Sequence, residues 1–362
     1  MVKVAILNNC LETLGGGERA CCALAQCLAN LGFSVDLITF EQMPPNRQQL
    51  EEAFGPGHSG YSILRLEAGP SGDQDAVLTR FLRGYTLFIN HTAGSSVRNP
   101  CPLGVYMVMF PFQERGDFVD TYHHFVCNSE FTAFYARQRW GRDLNVSVLY
   151  PCSESFGVDI SQPGERAPEI ITIGRFNVHG HNKNQALLVE AFKLALPMMP
   201  PGWKLTLMGR VNAGRETAEY VHRLKQECRS LPVDFQLDAS EQAKHEALRR
   251  ASLYWSGTGI EMQEPRDAAR LEHFGISIVE GMAAGCVPLC YSRGGPREIV
   301  EPGVSGFLYN DIDELATLSC LLALNAGLRQ KMQRAAWHRA QRFTRACFEQ
   351  GVRDFFRAVV SA

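Results

Sequence analysis

Two glutamates stand eight positions apart in Glu272-His-Phe-Gly-Ile-Ser-Ile-Val-Glu280-Gly-Met-Ala-Ala-Gly-Cys-Val-Pro288. Gly275 marks a turn, and the apolar run after it has helical periodicity, so the second carboxylate falls about two helical turns further on. A carboxylate inside an otherwise apolar segment needs a hydrogen-bonding partner. The helix start beside Gly275 offers unpaired amides and the positive end of the macrodipole, which together suit an anion. A solvated helix face is the plain alternative for two glutamates at this spacing.

Cations of the right kind occur about ninety residues earlier. Ile173-Gly174-Arg175-Phe176 closes an apolar strand and Lys183-Asn184 opens the following helix, so an Arg fork and a Lys point charge can project from one strand-to-helix loop. Such a pair suits a diphosphate whose charge grows as a bond to it breaks, although surface solvation would also explain both residues. His179 and His181 lie between them and could be read as metal ligands. Two loop histidines without clustered partners are more often solvated or in contact with substrate. Leu14-Gly15-Gly16-Gly17-Glu18-Arg19 joins the first strand to the first helix, where glycines permit positive φ and close approach of backbone to a ligand. A merely tight turn is the alternative there. The spacing is not GxGxxG; a dinucleotide site with Glu41 on the ribose could still be drawn, but it ignores the C-terminal half.

These motifs resemble family 4 retaining glycosyltransferases of the GT-B fold, in particular the branch that includes the dolichol-pathway α-1,2-mannosyltransferase. The likeness rests on the Glu-x7-Glu run with Gly275, Ala283-Ala284-Gly285, Pro288 and Gly294-Gly295, on Gly174-Arg175…Lys183-Asn184, and on the Gly-rich first loop. It is strong over residues 170–310 and looser over 1–150. The resemblance implies that Glu272 faces the sugar ring, Glu280 accepts from the ribose hydroxyls, and Arg175 and Lys183 stabilise the leaving diphosphate. It also implies donor contacts from Gly15, Gly16, Gly17, Gly209, His273, Phe274, Gly275 and Ile276. The implied reaction moves a hexose, with mannose weakly preferred, from a GDP- or UDP-sugar to a hydroxyl of a glycan, lipid-linked or small-molecule acceptor. Rivals are a GT-B sugar-nucleotide epimerase or hydrolase and a catalytically silent nucleotide-binding scaffold.

His91 follows Leu87-Phe-Ile-Asn90 at a strand end and is a candidate for acceptor binding or proton transfer, against a structural role. Family members often carry a cleft His in a Val-His-x-Pro-like element; Val108-Met109-Phe110-Pro111 has Met109 there, which leaves the acceptor-side catalytic residue open. Asp73-Gln-Asp75 and Asp311-Ile-Asp313 spell the DxD of metal-dependent glycosyltransferases. Both precede apolar helical patterns, so helix capping explains them better. No metal or other cofactor is expected, since Arg and Lys take that role in the resembled class.

The elements that must position these residues alternate along the chain, short apolar strands with longer helices, which argues α/β structure with parallel sheets covered on both faces. At 362 residues two domains are the natural reading. Residues 1–152 read as an acceptor-side Rossmann-like domain and 153–169 as a linker carrying Pro163, Gly164 and Pro168. Residues 170–335 read as the nucleotide-sugar domain and 336–362 as a helix that the GT-B resemblance returns to the first domain. Two facing doubly wound units would place the donor in the interdomain cleft. The formal charge of −2 provides no field for nucleic acid. Twelve cysteines without a CxxC pair, in apolar surroundings, suggest reduced buried thiols. With neither a signal-peptide pattern nor an 18-residue apolar stretch, a cytoplasmic enzyme is expected. Phe131-Thr-Ala-Phe134-Tyr135-Ala-Arg137-Gln-Arg139-Trp140 mixes aromatic and cationic residues, so peripheral contact with an anionic membrane face is weighed against ordinary helix packing.

Overall fold

The computed structural model describes residues 2–68, 72–153, 156–158, 166–178 and 182–361. The chain divides into two compact units, Met1–Cys152 with Arg345–Ala362 and Ser153–Thr344.

The first unit contains β1 (Lys3–Leu7), α1 (Gly16–Asn30), β2 (Ser34–Thr39), α2 (Arg47–Phe54), β3 (Tyr61–Arg65), α3 (Gln74–Phe81) and β4 (Leu87–Asn90). It continues with β5 (Leu103–Val108), β6 (His124–Cys127), α4 (Glu130–Trp140) and β7 (Val146–Val148). All seven strands run parallel in the order β3-β2-β1-β4-β5-β6-β7. The continuous apolar runs Val4-Ala-Ile-Leu7 and Leu87-Phe-Ile89 are fully buried because helices cover both faces.

The second unit repeats the plan with β8 (Ala167–Ile173), α5 (Gln185–Ala195), β9 (Lys204–Gly209), α6 (Arg215–Glu227), β10 (Val233–Leu237), α7 (Glu241–Arg250) and β11 (Ala251–Ser256). Then follow α8 (Ile276–Ala283), β12 (Val287–Tyr291), α9 (Pro296–Ile299), β13 (Phe307–Tyr309), α10 (Ile312–Leu324) and α11 (Ala326–Ala340). Its six parallel strands take the order β10-β9-β8-β11-β12-β13. In both sheets the order reverses beside the first strand, at β1/β4 and at β8/β11. Loops leaving the carboxyl ends of those strand pairs turn to opposite faces and open a crevice, where ligands of doubly wound sheets bind.

The segment 336–362, read above as one helix, takes in the end of one helix and the whole of another. α11 ends at Ala340, and α12 (Arg345–Ser361) starts after a 3-10 turn. The break falls where the two flanks answer to different cores. Phe343 packs edge-on against Phe274 at 5.5 Å in the second unit, whereas Phe348, Val352, Phe356 and Val359 join the core around α1 in the first. With the sheet on one side and α12 on another, Ala20 through Leu28 of α1 are all buried, and the small Ala and Cys side chains allow that close packing. All twelve cysteines are free thiols, ten of them buried.

The first aspartate of each DxD sequence acts as a helix cap. The Asp73 carboxylate accepts from the Ala76 amide at 3.0 Å and that of Asp311 from the Glu314 amide at 2.8 Å, while Asp75 holds the Arg98 amide at 3.0 Å.

Candidate functional site

At the second unit's switch point, the β8–α5 loop brings Lys183 to the loop that precedes α8. The Lys183 Nζ donates to Glu272 Oε2 at 2.7 Å, and the Thr258 hydroxyl donates to the same oxygen at 3.0 Å. Both charged side chains are largely shielded, 18% exposed for Lys183 and 12% for Glu272. The pair is therefore screened less than a surface ion pair.

Backbone contacts fix this geometry where side chains would not fit. A Cβ on Gly209 would lie 2.0 Å from the Gly174 carbonyl oxygen, and one on Gly174 would lie 2.4 Å from Lys183 Cγ. Phe176, fully buried, anchors the loop through its amide to the Arg210 carbonyl at 2.8 Å. Arg175 next to it is exposed, and its side chain has no partner among the described residues. Asn184, with φ +52°, donates to the Gly257 carbonyl at 2.8 Å and so ties the start of α5 to the end of β11.

The Glu272–Gly275 turn is held equally closely. The Gly295 amide donates to the Glu272 carbonyl at 2.8 Å, and Cβ atoms on Gly294 or Gly295 would strike the carbonyls of Glu272 and His273 at 2.4 and 2.3 Å. Gly275 caps α8 with φ +111°, a conformation that glycine adopts without strain. Having no side chain, it leaves the amides of Ile276 and Ser277 without an acceptor among the described residues. Those donors sit at the positive end of the α8 dipole. Gly281 lets α8 lie on Tyr254 of β11, whose ring a Cβ would approach to 2.7 Å. His273 and Phe274 are buried, so the turn presents backbone rather than these side chains.

Glu280 is 4% exposed and does not join the Lys183 cluster: its Oε1 accepts from Lys244 Nζ at 3.0 Å. Sequence reasoning required such a partner without finding it. The signal was present, since Lys244 shares the inward stripe of α7 with Ala247 and Leu248 at spacings of three and four. Thr258 was also missed; a threonine in a glycine-flanked loop carries no distinguishing pattern. His179 and His181 lie outside the described residues.

Gly15–Gly17 and His91 belong to the first unit, at its own switch point. The expected positive φ falls on Leu14 at +46°, while Gly15 is extended. The correction has a local cause. Glu18 reaches back to accept from the Gly15 amide at 3.0 Å and the Thr13 hydroxyl at 2.7 Å, which pins the loop one residue earlier. A Cβ on Gly17 would meet nothing within 4 Å among the described residues, so no contact with them demands a glycine there. Glu41, offered above as a ribose ligand, instead accepts from the Glu12 amide at 3.1 Å and from the Thr39 hydroxyl.

His91 borders a small cavity with Ala20, Met107, Met109 and Asn128. Burial pushes its imidazole down to about 4, only partly offset by a hydrogen bond to its own backbone. On the aromatic α4 segment, Tyr135 packs on Phe110 and Phe131, Arg139 pairs with Glu114, and Phe134 remains 54% exposed.

Residues 158–339, half of the chain, match the family of glycosyl transferases group 1. The chain belongs to that family. Among curated members similar to it, the GDP-Man:Man(3)GlcNAc(2)-PP-Dol alpha-1,2-mannosyltransferase of Kluyveromyces lactis is 32% identical over 192 residues, 48% of this chain and 30% of that protein. The enzyme of the same name from Homo sapiens is 28% identical over 244 residues, 61% and 46% of the two lengths. The chain thus spans less than half the length of these two relatives. Among solved structures, Anabaena HepE in complex with UDP superposes with a TM-score of 0.73 at 18% identity, over 99% of this chain and 100% of that one. The sucrose-phosphate synthase of Thermosynechococcus elongatus gives 0.73 at 16% identity over the whole of both chains. The α/β fold is that of the GT-B members of the family.

The buried imidazole of His91 yields a signed expectation. Folding favours its neutral form, so its contribution is full above the ordinary value of 6.5 and is lost as pH falls from there towards about 4, at most about 3 kcal/mol. Urea unfolding of His91→Gln should show a correspondingly shallower loss of stability across that window. A wild-type His91 resonance titrating near neutrality would show a solvated base instead.

Proposed function

We propose that the chain is a retaining hexosyltransferase that moves mannose from GDP-mannose to a hydroxyl of a lipid-linked glycan. The observation that carries this reading is the cluster of Lys183, Glu272 and Thr258 beside the amide-bearing start of α8, at the switch point of a sheet within a glycosyl transferases group 1 match. The choice of donor and acceptor rests on the names of the curated relatives.

In this reading the diphosphate lies against the Ile276 and Ser277 amides and Arg175, with Lys183 shared between Glu272 and the phosphate oxygens. As the bond from the sugar C1 to the phosphate oxygen breaks, the electron pair stays with the nucleoside diphosphate. Arg175 and Lys183 face that growing charge. The acceptor oxygen forms the new bond to C1, and its proton leaves with the departing diphosphate or the solvent. Glu272, placed by Lys183 and Thr258, orients the sugar hydroxyls, and Glu280 receives the ribose. His91, neutral at physiological pH, serves better as a packed or hydrogen-bonding group than as a charged acid. Retention of configuration comes from the family resemblance. Independence from metal ions is part of the proposal and rests on the capping role of Asp73 and Asp311 and on the two cations. The free thiols suit a reducing compartment.

The decisive experiment is a thermal-shift panel of GDP, UDP, ADP and NAD. GDP at about one hundred times its dissociation constant should add about 2.7 kcal/mol of stability. Stabilisation by NAD and by no nucleoside diphosphate would remove the reading, and a response to UDP alone would reassign the donor. Arg175→Ala and Lys183→Ala should each lower kcat by about tenfold or more, and by more than they raise the donor KM, because the charge they meet increases in the transition state. Mannose transfer should persist in EDTA. Loss of transfer that added Mg²⁺ or Mn²⁺ restores would refute the metal-independent mechanism.

A further inference from the structure

Lys244 has no part in the chemistry just described, yet its burial demands an explanation. It lies on α7, a helix of predominantly polar sequence, but only 9% of it is exposed. Its ammonium sits between two carboxylates, 3.0 Å from Glu280 Oε1 and 2.7 Å from Glu241 Oε2. The inner carboxylate is shielded, at 6% side-chain exposure, while the outer one is open, at 35%. Lys244 is thus fixed from two directions. A pair this buried is a weak contributor to stability, since well-packed apolar residues often do as well. It does, however, fix which state and which orientation a carboxylate adopts. An unpaired buried carboxylate would take up a proton and become a donor where a hydroxyl needs an acceptor.

We propose that Lys244 is a positioning residue for nucleotide recognition: it holds the Glu280 carboxylate charged and oriented so that it accepts hydrogen bonds from the ribose hydroxyls of the donor. The inference rests on the reading of Glu280 as the ribose-binding residue. Glu241 steadies the ammonium from the solvent side, which makes ribose recognition a property of three residues on two helices.

The test compares the affinity of the whole chain for GDP and for 2′,3′-dideoxy-GDP, with the uridine pair in parallel. Wild type should prefer the ribonucleotide by roughly tenfold to a hundredfold, the range carried by a hydrogen bond to a charged group. Lys244→Met should bring that ratio close to one while leaving dideoxynucleotide affinity nearly intact, and Lys244→Arg should restore most of the preference. Lys244→Gln, which keeps a donor but no charge, covers the case in which Lys244→Met does not fold and should also lose the preference. A merely structural lysine would weaken both nucleotides together or neither. If Glu280→Ala abolishes the preference and Lys244→Met and Lys244→Gln retain it, the positioning role is wrong and the ribose reading stands. If Glu280→Ala retains it, the ribose reading itself fails.

Discussion

The ion pair between Lys183 and Glu272 closes a contact between loops that lie 89 residues apart in sequence. Two parallel strands, β8 and β11, make that closure possible, because the reversal of strand order at this pair sends their following loops to opposite faces. The remaining features of the site follow from keeping those loops close. Gly174 and Gly209 let the backbones beyond β8 and β9 touch, Asn184 reaches across to β11, and Gly294 and Gly295 press against the carbonyls of the Glu272 turn. An added methyl group at Gly209 or Gly295 would meet backbone, which cannot move aside as a flexible side chain can. The electrostatic pair and the glycines therefore form a single device. The glycines bring the loops close, and the charges set the side-chain orientation once they are close.

Much of this was legible in the residues themselves. Gly275 announced the cap of α8, and the apolar run around Glu280 announced a carboxylate that had to find a partner inside the protein. The alternation of strands and helices set out both sheets, because strands buried on both faces read as unbroken apolar runs such as Leu87–Ile89. Three elements of the first unit escaped for a common reason. α2 lies in a polar stretch rich in Gln and Glu, and only one side of it meets the core. β3 and β7 are short edge strands that are only partly buried, so their apolar signal is diluted. The first loop was misjudged in detail because the strain moved to Leu14 once Glu18 had captured the Gly15 amide, a side-chain effect that glycine counting does not see. Lys244 was the costlier omission: its charge reads as surface, and only its place on the stripe of Ala247 and Leu248 marks it as inward.

The family was legible in the motifs, whereas the residue roles on the two sides of the proposed chemistry carry signals of different strength. Under the proposed function the donor-side groups cluster in motifs with characteristic spacing, because a diphosphate, a ribose and a sugar ring require cations, amides and carboxylates in fixed relation. The acceptor side has no such alphabet in this chain. Met109 stands where a histidine would have drawn attention, and His91, the obvious substitute, is buried and held neutral.

The closing of α12 over α1 has a consequence for how the molecule comes into being. Phe348, Val352, Phe356 and Val359 complete a core whose other members lie within the first 152 residues, so this unit begins before Ser153–Thr344 along the chain and is completed after it. During translation the N-terminal sheet must wait with the thiol-rich face of α1 uncovered, while Ser153–Thr344 has its whole sequence available earlier and can close first. For these two units the order of completion thus runs against the order of synthesis, and the apolar strip along Ala20–Leu28 is the surface a nascent chain would have to protect until α12 leaves the ribosome.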